Sequence, residues 1–326
     1  MDEGQDLNRS SLLFLQRCVL DAGTALCVVG DAQQAIYAFR GALTRSMQEI
    51  PRHHVAPVLR LSLTVCYRCP RRVAYLAAQL NPLIRAASGV HLGHIRLHRG
   101  DVGPAYLRSQ LTLAARTAVL SRTNGAILAL LIHLFRDGLS ARWVSPSIQG
   151  QLRTLLGGVA GPTGVRALRQ CADHPENATG LWCGDGDPAT VFGLLDSTVL
   201  SILDAAADLD GPEATVEQSA WLAFVCDSLD DGADDNAERQ RLVLATVHSA
   251  KGMEYPHVIV LDYDLFGPRV GDDNGDRAQQ ECNLLYIAIT RAMDRLTLVQ
   301  SPRRRARSAL LPEEIVRYAQ ELWAAD

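Results

Sequence analysis

Side chains able to bind or activate a ligand are concentrated in residues 26–42, LCVVGDAQQAIYAFRGA. The apolar run that ends at Val29 is typical of a buried parallel strand. Gly30 and Asp31 follow, where the backbone can turn sharply and expose a carboxylate with the amides behind it. Gln34 follows, with a side chain that can both donate and accept a hydrogen bond without carrying charge. The stretch then continues with two aromatic residues, Tyr37 and Phe39, and the cation Arg40.

This pattern predicts a strand end that binds a phosphate or a water, joined to a platform on which a planar group can stack. A buried strand followed by a loop of core aromatics is the simpler alternative for either half of the stretch. The two halves are contiguous, and this favours a site.

Length and composition indicate a globular protein that is not embedded in a membrane. The 326 residues, 48% of them hydrophobic, allow about two domains with buried cores. No apolar run approaches the roughly 18 residues that a membrane span needs. The acidic, polar N-terminus is not typical of a signal or transit peptide. We therefore expect a soluble intracellular protein.

The charged residues restrict where a nucleic acid could bind. A formal net charge of −4 confines any such surface to a local groove. Among the 32 basic residues Lys251 is the single lysine, and no G-x-x-x-x-G-K-[ST] loop occurs, so the chain has no Walker A lysine. A lysine kept in an arginine-rich chain predicts a site too tight for a guanidinium, and we expect Lys251 in a cleft between domains.

The eight cysteines are scattered, except that Cys66 and Cys69 are three positions apart. No second close cysteine pair accompanies them, and the adjacent His53 and His54 favour a surface feature, so small hydrophobic residues in a reducing compartment are the favoured interpretation of the cysteines. A zinc or thiol enzyme built on this pair is the alternative, and zinc content would test it.

Polar groups also occur at the ends of other predicted elements. Asp2 and Glu3 form an acidic pair at the N-terminus, and Tyr67-Arg68 offers a flat face and a forked cation at a strand-to-helix turn. Predicted strands at 242–247 and 258–261 bracket the polar stretch TVHSAKGME of residues 246–254. A predicted helix over 281–290 brings Arg291 to its end.

Taken in order, these stretches resemble motifs II to VI of the UvrD/Rep-type superfamily 1 DNA helicases. Asp2–Asp6 resembles the DExQD of motif II, residues 26–42 resemble motif III, and Tyr67-Arg68 resembles motif IV, although Cys66 replaces its asparagine. Residues 246–254 match T-x-H-x-[AS]-K-G-[LM]-E of motif V, and 281–292 match E-x-x-x-L-Y-[VI]-A-x-T-R-A of motif VI. The short layout is closest to the F-box DNA helicase branch.

The resemblance implies ATP and Mg²⁺ as cofactors and single-stranded DNA as a partner. It implies metal binding by Asp2 and Glu3, and a catalytic set of Asp2, Glu3, Gln34, Arg68 and Arg291. The implied nucleotide-binding residues are Tyr67, Gly252 and Glu254. The implied DNA-binding residues are Tyr37, Phe39, Arg40, His248, Lys251 and Asn124, the last from a segment similar to the family's LxRTN.

The same resemblance implies an α/β fold with a RecA-like P-loop NTPase motor. Residues 1–55 would form the C-terminal part of a first RecA-like domain, and 56–326 a complete second one with a helical insertion at about 145–240. Because the strand that should precede Asp2 is not in the sequence, we expect a separate or upstream segment to carry Walker A.

The implied activity is ATP-dependent 3′-to-5′ DNA unwinding in replication, repair or recombination. The alternative is a truncated, ATPase-inactive pseudo-helicase that binds single-stranded DNA or a partner protein.

Overall fold

The structure is a computed structural model that describes residues 1–20, 25–38, 41–43, 46–50, 58–159, 161–184, 187–211, 213–230, 241–267, 275–300 and 310–322. Phe39, Arg40 and the predicted domain boundary near residue 55 lie outside these ranges. The chain divides into two compact units, one formed by Met1–Gly100 with Lys251–Asp326 and the other by Asp101–Ala250.

The strands that the structure describes are β1 (Val65–Cys66), β2 (Arg85–Ala86), β3 (His94–His98), β4 (Thr117–Ser121), β5 (Arg142–Val144), β6 (Leu242–Thr246), β7 (Tyr255–Val260) and β8 (Ala292–Val299). The helices it describes are α1 (Arg9–Leu15), α2 (Ser46–Glu49), α3 (Arg71–Leu80), α4 (Pro104–Leu111), α5 (Asn124–Arg136), α6 (Pro146–Gly157), α7 (Val165–Asp173), α8 (Pro188–Gly193), α9 (Ser197–Asp210), α10 (Ala220–Leu229), α11 (Gly275–Thr290) and α12 (Glu313–Glu321).

The first unit contains three parallel strands with β8 between β3 and β7. His94 of β3 lies opposite Arg295, and Tyr255 of β7 opposite Ala292. Helix α3 packs against α11 and α12, burying Val73, Leu76 and other apolar residues of its inner face. Parallel strands covered by helices are typical of α/β proteins, whose strands read as continuous apolar runs.

The second unit repeats this construction with β6 between β4 and β5, again in parallel. Strands β4 and β6 are buried at every position. Helices α6 to α10 follow β5, and Trp221 of α10 is fully buried with its ring edge-on to Phe135 of α5. Both units are therefore mixed α/β structures with parallel strands, which agrees with the predicted RecA-like class.

Most predicted elements are confirmed. The strands flanking the 246–254 loop are β6 and β7, and the predicted helix that ends before Arg291 is α11. The apolar residues of 125–135 predict a helix, and this helix is α5. The amphipathic pattern of 312–323 predicts a closing helix, and this helix is α12.

Three local predictions are wrong. Residues 25–29 form no strand; hydrogen bonds from Gly4 N to Val29 O (3.0 Å) and from Val29 N to Met1 O (2.9 Å) hold them extended, with Val29 53% exposed. The pattern of residues 10–20 predicts a first helix capped by Ser10 or Ser11, but Asn8 caps α1, because its side chain accepts a hydrogen bond from the Ser11 amide. The stretch that begins at Leu59 predicts a strand, but in the described chain this strand is confined to β1, which has two residue pairs with β2.

His257 on β7 is a buried titratable group. It is 1% exposed, and its Nε2 lies 3.0 Å from Oγ1 of Thr297. Burial lowers the pKa of His257 to about 4, and the charges of Arg295 and Arg96 act in the same direction while Asp294 opposes them. The folded chain therefore holds this imidazole neutral at a pH at which the unfolded chain protonates it.

We expect the free energy of unfolding to fall as the pH drops from about 6.5 to about 4, because the unfolded chain then binds a proton that the folded chain does not. Above about pH 6.5 the neutral His257 costs the folded state no stability. At about pH 4 the free energy of unfolding is lower by about 3 kcal/mol. Denaturant unfolding across this window should show a smaller loss for His257→Gln. His94→Gln, at an exposed position of β3, should behave as wild type, and an unchanged loss in His257→Gln would contradict the assignment.

Candidate functional site

A chain of hydrogen bonds connects the acidic N-terminal segment to the turn after residue 30. Gln5 is 2% exposed; its Nε2 donates to Glu3 Oε2 at 2.5 Å, and its Oε1 accepts from the Asp31 amide at 3.0 Å. Asp31 accepts in turn from Gln34 Nε2 at 3.0 Å. Glu3 has a left-handed backbone with φ of 53°, a rare conformation for a side-chain-bearing residue. Glu3 and Gln34, predicted from separate motifs, are thus linked through Gln5 and Asp31.

Lys251 joins the same group of residues. Its Nζ lies 2.5 Å from Asp6 Oδ2 and 3.3 Å from Glu3 Oε2, and it donates to the Gln34 carbonyl at 3.1 Å. Nζ also lies 5.0 Å from the centroid of the Tyr37 ring, which is within cation–π distance. With the side chain only 8% exposed, this ammonium holds two carboxylates, the Gln34 carbonyl and an aromatic ring together.

The predicted catalytic arginines share one cavity of about 190 Å³. Its lining includes the polar or charged side chains of Asp31, Gln34, Arg68, Thr290 and Arg291. Arg68 Nε forms an ion pair of 2.5 Å with Glu254 Oε1, and both side chains are partly exposed.

Arg291 is almost fully buried, with 1% exposed. Its guanidinium donates to the carbonyls of Ile287 (3.2 Å) and Met253 (3.1 Å) and to the Thr290 hydroxyl (3.3 Å). Burial lowers the pKa of Arg291, and the nearby positive charge of Arg68 lowers it further. Two like charges held at one cavity favour an anionic ligand, and the forked geometry of guanidinium groups suits phosphate.

The turn that carries Arg68 is fixed by its neighbours in the fold. Strand β1 pairs with β2, where the Ala87 amide donates to the Cys66 carbonyl at 2.9 Å. At the other end, Gly93 approaches Pro70 so closely that a Cβ on Gly93 would lie 2.3 Å from the Pro70 Cβ. The thiol of Cys69 reaches the Thr290 carbonyl at 3.6 Å. The position of Arg68 therefore depends on both β2 and the end of α11.

The hydrogen-bond donors at this cavity, above all Arg68 and Arg291, fit the phosphates of a nucleotide bound with Mg²⁺. Magnesium in such sites commonly takes one or two protein carboxylates together with phosphate oxygens, and Asp2 is an exposed carboxylate beside Glu3. No group of three or more His, Cys, Asp or Glu side chains able to hold a metal is found among the described residues. The cavity is smaller than the roughly 300–1,000 Å³ of complete ligand pockets, so it can enclose only the phosphate part.

The remaining predicted residues lie in several places. Tyr67 is 80% exposed and does not line the cavity. Gly252 has a φ of 83°, a backbone conformation that favours glycine. His248, in the turn after β6, and Asn124, the first residue of α5, belong to the second unit.

Sequence reasoning did not identify the roles of two partners of this site, Asp6 and Asn283. Asp6 was part of a recognised motif, but its ion pair with Lys251 joins residues 245 positions apart. Asn283, 2% exposed on α11, donates to the carbonyls of Ala32 (3.3 Å) and Ala35 (2.9 Å) and so supports the turn that carries Gln34. The available signal for Asn283 was a polar amide side chain directly before the apolar run of residues 284–289, where a buried position is expected.

Comparison with known proteins identifies two family models in the chain. Residues 1–54 match the UvrD/REP helicase N-terminal domain, and residues 198–302 match the UvrD-like helicase C-terminal domain. The chain is 24% identical over 321 residues to F-box DNA helicase 1 of Gallus gallus, covering 92% of this chain and 29% of that protein. It is 27% identical over 308 residues to F-box DNA helicase protein 1 of Schizosaccharomyces pombe, covering 91% and 33%.

A third relative, DNA helicase II of Salmonella typhimurium, is 33% identical over 98 residues, which is 29% of this chain and 14% of that protein. The solved C-terminal domain of a possible DNA helicase from Lactobacillus plantarum WCFS1 aligns at 14% identity with a TM-score of 0.34, covering 76% of this chain and 96% of that one.

Separate segments of the chain thus match the N-terminal and C-terminal family models of UvrD/Rep-like helicases, and its relatives include DNA helicase II and F-box DNA helicases, which agrees with the resemblance that the order of its motifs predicted. The chain spans a third or less of the length of these curated relatives. Among the described residues, no helix combines the length and apolar character needed to cross a bilayer.

Proposed function

We propose that this chain contributes the hydrolytic and DNA-coupling residues of an ATP-driven 3′-to-5′ translocase on single-stranded DNA. The observation that carries the proposal is the cavity at which Arg68, Arg291 and Gln34 meet. The strand polarity, a role in replication, repair or recombination, and an intracellular location follow from the family and belong to the proposal.

In this mechanism, the residues around the cavity position the γ-phosphate and neutralise its charge. Phosphoryl transfer needs positioning and electrostatic stabilisation more than covalent help. Arg68 and Arg291 supply the positive charge, and Gln34, oriented by Asp31, detects the γ-phosphate. Glu3 orients or deprotonates the attacking water, and its carboxylate is held in place by Gln5 and Lys251.

Asp2, together with Glu3, would hold Mg²⁺. When bound there, the ion would neutralise part of the charge of the phosphates. Tyr67 would stack on the base, and Glu254 would accept hydrogen bonds from the ribose once its pairing with Arg68 is released.

Lys251 provides the connection between hydrolysis and DNA. It contacts Glu3 and Asp6 on one side and the Gln34 carbonyl and the Tyr37 ring on the other. A movement of the Glu3 or Asp6 carboxylate is therefore transmitted through Lys251 to Tyr37, the residue proposed to stack on bases. Stacking of a base on an aromatic side chain is worth about 1–3 kcal/mol. His248 and Asn124 of the second unit, with Phe39 and Arg40, complete the proposed DNA-binding set.

We expect the 326-residue chain alone to hydrolyse ATP no faster than background, because its sequence contains no Walker A lysine to bind the β- and γ-phosphates. A co-expressed or fused segment that carries a G-x-x-x-x-G-K-[ST] loop should restore DNA-stimulated hydrolysis. Phosphate release with and without single-stranded DNA measures this.

Glu3→Gln is the control, because it should abolish any restored activity while leaving the fold intact. DNA-stimulated turnover by the chain alone, removed by Glu3→Gln, would show that no Walker A segment is needed. If no supplied segment restores activity, the motor proposal fails. The alternative proposal, an ATPase-inactive pseudo-helicase that binds single-stranded DNA or a partner protein, then replaces it.

A further inference from the structure

Cys66 and Cys69 form a thiol pair at the start of a helix. Cys66 is half-buried at the end of β1, and Cys69 is 1% exposed two residues before α3. The Cys69 amide donates to Cys66 Sγ at 3.3 Å, which brings the backbone of Cys69 against the Cys66 sulfur. Dithiols of the C-x-x-C type, which exchange with disulfides, have the same arrangement: two cysteines three positions apart, directly before a helix.

The environment makes the two thiols chemically different. The pKa of Cys66 lies well below its usual range because the Cys69 thiol donates to it, with help from the Cys69 and Arg68 amides and the Arg68 charge. The pKa of Cys69 is raised, because it is the donor of that bond and because it is buried. Cys66 is therefore the accessible nucleophile, and Cys69 is the protected thiol that can resolve an oxidised Cys66.

We propose that Cys66 and Cys69 form a reversible disulfide in the presence of a peroxide, and that this disulfide switches off the arginine cavity. The Cys66 thiolate attacks one peroxide oxygen; the O–O bond breaks, and Cys66 becomes a sulfenic acid as the other oxygen leaves as water. Cys69 then attacks the Cys66 sulfur, the S–O bond breaks, and the Cys69 proton leaves with the oxygen as a second water. Two thiols are oxidised, one peroxide is reduced, and a dithiol reductant reverses the step.

The disulfide acts on the cavity through two residues. Tyr67 and Arg68 are the two residues enclosed between the cysteines, so closing the ring re-orients the Arg68 side chain and its ion pair with Glu254. The Cys69 sulfur also lies 3.6 Å from the Thr290 carbonyl, next to Arg291, so bonding it to Cys66 changes this contact. This consequence rests on the proposed function, whereas disulfide formation does not.

The sequence offers a direct assay for the bond. Trypsin cuts after Arg60, Arg68 and Arg71, so the disulfide joins peptide 61–68 to peptide 69–71. After treatment of the purified chain with hydrogen peroxide and alkylation of free thiols, mass spectrometry should find this linked pair, and dithiothreitol should remove it. Cys282→Ser should still form the pair, because Cys282 is a half-buried thiol elsewhere, on α11.

Cys69→Ala should slow the alkylation of Cys66 by iodoacetamide at mildly acidic pH by about tenfold, because Cys66 loses the donor that holds it as a thiolate. Absence of the linked peptide pair, or unchanged Cys66 alkylation in Cys69→Ala, would overturn the proposal.

The second measurement separates the disulfide from its effect on the site. Equilibrium dialysis of radiolabelled ATP with Mg²⁺ should show about tenfold weaker binding after oxidation, restored by dithiothreitol and insensitive to peroxide in the Cys66→Ser/Cys69→Ser variant. If the disulfide forms and ATP binds equally well in both states, the switch is refuted. If the disulfide forms but the reduced chain binds no ATP even with a Walker A segment, the thiol pair stands and the proposed function fails.

Discussion

Arg291→Ala is expected to lower the turnover of the assembled, Walker A-containing enzyme by about 10³-fold or more, the scale at which arginine fingers act. Arg291 lies at the cavity with Arg68, and its low exposure removes the solvent that would otherwise screen its charge. ATP affinity should fall much less, because the developing charge of the transition state is what this residue stabilises. Single-turnover hydrolysis and ATP binding, measured separately, test this division.

Arg291→Lys should not restore turnover. The guanidinium donates three hydrogen bonds at once, to the carbonyls of Ile287 and Met253 and to the hydroxyl of Thr290. A lysine ammonium cannot reproduce that planar fork. Arg277→Ala, an exposed arginine on the same helix α11, is the matched control and should keep full activity. Thermal unfolding of each variant identifies loss of fold, and near-normal turnover in a folded Arg291→Ala enzyme would remove Arg291 from the catalytic set.

Much of the site could be predicted because its residues stand in motifs whose order is fixed along the chain. Gln34, Arg68 and Arg291 are separated by long stretches of sequence, yet they line one cavity. The polar residues follow predicted strands or end predicted helices, and parallel strands present such ends at one edge. Gln34 lines the cavity although the predicted strand before it does not form, so the prediction depended on the motif and not on the element.

The parts that could not be predicted depend on pairing across the fold. The apolar run before Gly30 has the composition of a buried strand, yet Val29 is 53% exposed because only the 1–4 segment hydrogen-bonds to it in the described chain. The Asn8 cap was ambiguous, since Asn8, Ser10 and Ser11 all have side chains able to cap a helix. The thiol pair was read as small hydrophobes, because spacing alone does not show that Cys69 donates to Cys66.

Lys251 is the residue whose replacement should most disturb both stability and coupling. Lys251→Met leaves Glu3 and Asp6 facing each other without their cation. Loss of one partner of a buried pair costs about 3–5 kcal/mol, and we expect about 2–3 kcal/mol here because Glu3 is more than half exposed. Denaturant unfolding measures the change, and adding Asp6→Asn to Lys251→Met should recover part of it, since the unpaired charge is then removed.

Lys251→Arg separates charge from shape. The arginine keeps the positive charge, so most of the stability should remain. Its wider guanidinium cannot occupy a position 2.5 Å from Asp6 Oδ2, 3.1 Å from the Gln34 carbonyl and 5.0 Å above the Tyr37 ring without moving one of them. We therefore expect stimulation of hydrolysis by single-stranded DNA to fall by about tenfold in the Walker A-supplemented enzyme, while hydrolysis without DNA changes little.

Tyr37→Phe provides the matched control for Lys251→Arg, because it keeps the ring face beneath the ammonium and should retain DNA stimulation. Tyr37→Ala removes that face and should lose stimulation as Lys251→Arg does, if the ammonium acts through the ring. Full DNA stimulation in Lys251→Arg would show that any cation suffices at this position, and the coupling between the carboxylates and the stacking residue would have to run through other contacts.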